Sequence, residues 1–144
     1  MTTEASPQRR RGAVAVVLRG ERFLVIRRSA NVVAPGAMCF PGGGIEGQES
    51  ETEALVREFR EELGAAIRPV RCVWRSTTRW HVELAWWLVE LDADTELYPN
   101  PAEVESVHWL TGPAMLEHAA LLDSNRAFLA ALAAGEVVLH QRPS

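Results

Sequence analysis

Cysteine is scarce in this chain. Cys39 and Cys72 are the only two among 144 residues, too few and too far apart for a disulfide framework or a zinc cluster. Both read as buried thiols of a reducing compartment, so a cytoplasmic location is expected. Long apolar runs are also missing. Ala13 to Leu18 is a strand's worth of apolar residues, short of the core a secretory leader needs. There is no excess of positive charge: the formal net charge is −4, which gives no pull toward nucleic acid or anionic membrane. Neither a stable nucleic-acid complex nor a membrane partner is expected. His81, His108, His118 and His140 lack metal-ligand spacing and read as structural or surface residues. The sequence contains no repeat, linker or low-complexity segment.

What is present fits one small domain. Hydrophobic residues make up 47% and charged residues 24% of the chain, ordinary for a globular protein of a size that buries a real core. Residues 1–11 are polar, end in Arg9-Arg10-Arg11, and read as a flexible arm. Residues 12–144 form the expected domain. Gly12 to Leu18 is apolar on both faces and predicts a central strand. Arg19-Gly20-Glu21 is a turn into a second strand over Arg22–Arg27, and Ser29 to Ala37, with Pro35-Gly36, is a loop. Strands are expected over 67–75, 80–91 and 104–110. In the second of these, Leu84, Trp86 and Leu88 alternate with Ala85, Trp87 and Val89, so both faces are covered. Thr111 is expected to cap a helix over 113–121, and Ser124 another over 125–134, stopped by Gly135.

The chain is organised around Gly42 to Ala65, GGGIEGQESETEALVREFREELGA. Ser50 and Glu53 make a capping box, and Gly64 is a natural stop, so a helix is predicted over 51–63. Its periodicity buries Leu55, Val56, Phe59 and Leu63 and gathers Glu58, Glu61 and Glu62 on another face. Three acids at that spacing repel one another. The arrangement makes sense where a cation sits on the face, and hard divalent ions bind through carboxylates, water and phosphate oxygens.

The same stretch resembles the signature of the Nudix family, G-x5-E-x7-R-E-U-x-E-E-x-G-U with U a bulky aliphatic. The matching positions are Gly43, Glu49, Arg57, Glu58, Phe59, Glu61, Glu62, Gly64 and Ala65. Phe59 and Ala65 depart mildly at two U positions. The resemblance implies an α/β fold, an α/β/α sandwich with a mixed β-sheet. It also implies a Mg²⁺-dependent hydrolase, with Mn²⁺ as a substitute, that cleaves a phosphoanhydride in a nucleoside diphosphate linked to another group, by attack of water on phosphorus. By the same resemblance Glu58 and Glu62 are the principal metal ligands, Glu61 shares a metal or its water, and the Gly43 carbonyl adds a ligand. Arg57 pairs with Glu49 or holds Glu58 in position, and Glu46 and Glu49 shape the loop.

A further acid is expected from outside the signature. Glu103, still in the loop after Asn100-Pro101, is favoured over Glu105, which has joined the strand. Trp74 and Trp80 flank a turn where a base would stack, and Arg75 and Arg79 in that turn would meet a phosphate or ribose. The expected partner is a small nucleotide, acted on by a monomer or homodimer. The alternative is a Nudix-like module that binds a nucleotide without cleaving it. Such a module would be expected to have lost signature carboxylates, all of which are kept here.

Overall fold

A computed structural model describes residues 10–140. Two four-stranded sheets pack between helices. The first is mixed and contains β1 (Arg11–Val16), β5 (Gly42–Gly44), β6 (Arg68–Thr77) and β7 (Glu83–Glu90) in the order β5-β1-β7-β6. β1 runs parallel to β7, and the other pairs are antiparallel. The second, antiparallel throughout, has β3 (Arg22–Arg28) paired with β2 (Leu18–Arg19), β4 (Met38–Cys39) and β8 (Val104–Leu110). The helices are α1 (Glu51–Leu63), α2 (Gly112–Leu116) and α3 (Asp123–Ala133). This is the α/β sandwich expected, its strands divided between two sheets. Among the described residues no helix is long and apolar enough to cross a membrane.

α1 covers one side. Its Leu55, Phe59 and Leu63 are buried against Ala13, Ala15 and Val89 of the mixed sheet and Leu24 and Ile26 of the other. On the opposite side, Phe128 and Leu129 of α3 and Met115 of α2 are buried against Val16, Phe23, Val25 and Trp86. β7 serves both layers by alternation: Leu84 and Trp86 face α3, while Trp87 and Val89 face α1.

α1 has the bounds its caps dictate. The Ser50 hydroxyl accepts from the Glu53 amide at 3.1 Å, the Glu53 carboxylate accepts from the Ser50 amide at 2.9 Å, and Gly64 closes the helix at φ 63°. Elsewhere tertiary pairing overrides local signals. α2 stops at Leu116 rather than at 121, because the chain then joins β4: Met38 donates to the Ala120 carbonyl at 2.9 Å and Leu122 donates to the Met38 carbonyl at 3.0 Å. That same bond draws the start of α3 forward to Asp123. Leu122, not Ser124, is its cap and makes no side-chain cap bond. β7 begins at Glu83 instead of 80, since Thr78 to Val82 close a turn with His81 at φ 61°. β1 begins at Arg11, so that residue belongs to the sheet and not to the arm. The rest of the expected arm, residues 1–9, lies outside the described residues.

Candidate functional site

Two glycines dock the end of the β5 loop against β1 and α1. Gly42, at φ 149°, lies so close to β1 that a Cβ there would stand 2.3 Å from the Ala13 carbonyl oxygen. A Cβ on Gly43 would fall 2.4–2.7 Å from the carboxyl atoms of Glu58. Any side chain at 43 would therefore push Glu58 out of place.

Arg57 ties the loop to the helix. Its Nε and one terminal nitrogen donate to the two Glu49 oxygens at 2.6 and 2.8 Å, the forked geometry that carboxylates and guanidinium share. The other terminal nitrogen donates to Glu58 at 2.9 Å and to Glu61 at 3.3 Å, and the Gly44 carbonyl accepts at 2.9 Å. Glu46, largely exposed, stands 3.7 Å from Arg57, and its amide donates to Glu49 at 2.9 Å. The Arg57 guanidinium holds the Glu49 carboxyl down to about 2, so Glu49 is ionised across the physiological range.

The remaining acids sit deeper. Glu62 is only 5% exposed, and burial pushes its carboxyl up to about 8, against the Gly42 amide that donates to it at 3.0 Å and with the repulsion of Glu58 and Glu103 added. Burial likewise raises Glu58, opposed by Arg57 and reinforced by Glu61 and Glu103. Glu103 has a buried oxygen, Oε2, without a hydrogen-bond partner. Glu105 points elsewhere, largely exposed and 3.8 Å from Arg27. Of the signature acids, Glu61 is the outlier: it is half-exposed, and among the described residues its carboxylate reaches only Arg57.

This donor set suits a hard divalent cation. It is all oxygen, its like charges repel, one buried oxygen is orphaned, and Gly43 leaves the room that keeps Glu58 in place. As they stand, no three such side chains among the described residues converge tightly enough to hold one ion. Glu58 is turned toward Arg57 and Glu62 toward the Gly42 amide.

Beside these acids, on the α3 face of the mixed sheet, lies a cavity of about 640 Å³. Gly12, Gly43 and Gly44 line its floor, Leu84 and Phe40 its sides, and Arg28 and Asn125 face it. Sequence reasoning singled out neither Arg28 nor Asn125. Asn125 is 3% exposed and accepts from the Phe40 amide at 3.0 Å, a buried polar residue in an apolar helix. Arg28, the last residue of β3, stands near Cys39 and Glu62, and burial pushes the Cys39 thiol up to about 11.

None of the four residues expected to bind substrate lines that cavity. Trp74 packs into the aromatic core, 5.7 Å from the Trp86 ring and 6.0 Å from Phe128. Arg75 donates twice to Glu51, at 2.8 and 3.0 Å, and lines a smaller cavity of about 370 Å³ on the α1 face. Trp80 is 69% exposed in the β6–β7 turn, with the Arg79 guanidinium 4.8 Å from its ring centroid. Trp74 is thus corrected from a mouth residue to a core residue.

Comparison with known proteins bears on the family and the fold. A family model described as the NUDIX domain matches residues 8–132. The chain is 30% identical over 99 residues to the NAD-capped RNA hydrolase NudC of Stutzerimonas stutzeri, covering 67% of this chain and 34% of that protein. It is 44% identical over 50 residues to the CTP pyrophosphohydrolase of Escherichia coli, covering 35% of this chain and 37% of that protein. The matches thus span about a third of the length of these curated relatives. Among solved structures, the MutT NUDIX hydrolase of Burkholderia pseudomallei superposes with a TM-score of 0.68 at 25% identity, covering 84% of this chain and 95% of that one.

Proposed function

This chain belongs to the Nudix hydrolase superfamily, and on that premise we propose that it is a Mg²⁺-dependent pyrophosphohydrolase of nucleoside diphosphate derivatives. The observation that carries the reading is the grouping of Glu58, Glu62 and the orphaned Glu103 oxygen behind Gly43, a residue that also lines a cavity of nucleotide size. Glu58, Glu62 and Glu103 would hold the ion, with Glu61 at its outer side. A divalent ion there neutralises diphosphate oxygens and lowers the pKa of bound water.

The chain's own groups do the rest by positioning. Arg57, locked onto Glu49 and anchored to the loop backbone, fixes the Glu58 carboxylate. Arg28, at the cavity wall beside Glu62, is placed to meet an anionic oxygen. The proposed setting is the cytoplasm, as a monomer or homodimer acting on a small nucleotide without a nucleic-acid or membrane partner. CTP pyrophosphohydrolase and NAD-capped RNA hydrolase are what two relatives are named; both names involve a nucleoside phosphoanhydride, which supports the class and leaves the base open.

The test is a panel of nucleoside di- and triphosphates and dinucleotides with Mg²⁺ or Mn²⁺, read as phosphate or pyrophosphate release. Metal-dependent release from at least one is expected. Silence across the panel together with tight metal-independent nucleotide binding overturns the proposal in favour of a binding module.

A further inference from the structure

Glycine inside a strand weakens it, so it needs a reason. Of the ten glycines, six have a positive φ in the region that disfavours side chains: Gly20, Gly36, Gly42, Gly47, Gly64 and Gly135. A Cβ on Gly12 would stand 2.9 Å from the Leu84 side chain, one on Gly43 would strike Glu58, and one on Gly112 would rest at 3.6 Å from Leu129. Among the described residues, Gly44 alone combines an ordinary φ with nothing within 4 Å of such a Cβ. Neither its backbone conformation nor its described neighbours require a glycine.

Strand alternation shows where the missing side chain would go. The Cβ direction of Gly43 runs to Glu58 on the α1 face, so that of Gly44 runs to the opposite face, where the cavity lies. Gly44 pairs across the strands with Gly12, and Gly42 with Val14. Three of these four positions have no side chain, and all four line the cavity. The floor is therefore bare peptide backbone at Gly44, bordered by the side chains of Val14 and of Leu84, which leans over Gly12. It is also rigid: the Gly44 carbonyl accepts from Arg57 at 2.9 Å and the Ile45 amide donates to the Arg11 carbonyl at 2.9 Å.

We propose that Gly44 is a specificity-determining residue, and that the Gly12–Gly44 floor receives the flat face of a heteroaromatic base. This rests on the pyrophosphohydrolase reading above and deepens it. A planar ring gains most from a surface with no side chain standing on it, because its whole face then comes into van der Waals contact. The diphosphate of the same molecule would lie toward Glu58 and Glu62, which Gly43 places on the other side of the same short strand.

The experiment compares wild type with Gly44→Ala and Gly44→Val on ADP, GDP, CDP and UDP, with methyl diphosphate as a base-free control. Thermal unfolding checks the fold. The unfolding temperature is expected to hold or rise in both variants. KM for the base-bearing substrates should rise about tenfold in Gly44→Ala and further in Gly44→Val, the scale on which pockets discriminate by a single methyl group. Methyl diphosphate should be turned over by all three proteins alike. Equal losses on methyl diphosphate, or a fall in kcat with KM unchanged, would show that Gly44 acts through Arg57 and would overturn the proposal. If wild type hydrolyses nothing, the hydrolase reading fails by itself. Calorimetric binding of AMP, GMP, CMP and UMP to the three proteins then decides the role of Gly44, with unchanged affinity in both variants counting against it.

Discussion

The two faces of the β5-β1-β7-β6 sheet are built on opposite principles. On the α1 face, five acids and one arginine crowd the glycine loop, and two of the acids, Glu58 and Glu62, have carboxyls raised by burial and mutual repulsion. On the α3 face, five aromatic rings interlock: Trp86 stacks on Phe128 at 4.8 Å, and Phe23, Phe40 and Trp74 surround them. The first face stores unfavourable charge that a cation would relieve. The second gains from being buried and leaves one bare patch open as a cavity. On the proposed reading, chemistry and recognition are separated by the thickness of a sheet, and each should be breakable without the other.

The largest expected effect is on the aromatic side. Phe128 is fully buried and touches four other rings. Phe128→Ala should cost about 3–5 kcal/mol of stability, the usual range for such a truncation, read as a lowered urea midpoint. Molecules that remain folded should keep kcat on methyl diphosphate. A collapse of that kcat in folded protein would mean that the faces are not independent.

On the charged side, Glu58→Gln keeps the shape and removes the charge. A loss in kcat of about a hundredfold or more is expected, as for one key electrostatic group, with the unfolding temperature held or raised because a repelled, partly buried carboxylate is gone. Arg57→Ala should reduce kcat less, since Arg57 positions Glu58 and stands behind the acids. The reverse ranking at preserved stability would make Arg57 the primary group.

Glu103 and Glu105 give a finer contrast, between two acids one residue apart. Glu103→Gln should lower kcat about tenfold or more at saturating Mg²⁺, because its buried oxygen lies among the acids. Glu105→Gln should behave as wild type, since Glu105 is exposed and meets only Arg27 among the described residues. A loss confined to Glu105→Gln would remove Glu103 from the site.

The charged face was legible in the sequence because it is local. Residues 43 to 65 carry the helix caps, the spacing and the acids in one run, and α1 begins and ends where Ser50 and Gly64 place it. Glu103 was legible by register, as the last residue before β8 starts at Val104. The cavity on the α3 face was not, for a physical reason. Gly12, Arg28, Gly44 and Asn125 come from four separate segments, and only the strand pairing brings them to one cavity. Trp74 was misplaced for a related reason. The irregularity between Cys72 and Trp74 shifts the pairing of β6 and sets Trp74 opposite Trp86 on the aromatic face.

The smallest effect lies where α1 is fastened to the sheet. Glu51, the first residue of α1, accepts from Arg75 twice, from Trp87 at 2.9 Å and from Arg11 at 3.4 Å. The Arg75 guanidinium, with help from Trp87 and Arg11, holds its carboxyl below the usual carboxylate range. A lowered pKa in the folded state stabilises the fold above the unfolded carboxylate pKa, and that contribution is lost as pH falls through the folded value. Glu51→Gln should therefore lower stability at pH 7 by about 1 kcal/mol, a modest figure because the Arg75 end is exposed and screened. The difference should shrink as the solution is acidified and vanish once Glu51 of the wild type is protonated. Paired urea titrations at neutral and acid pH measure it. A deficit that stays constant with pH would mean that glutamine disturbs packing against Trp87, so that charge is not what joins α1 to β6 and β7.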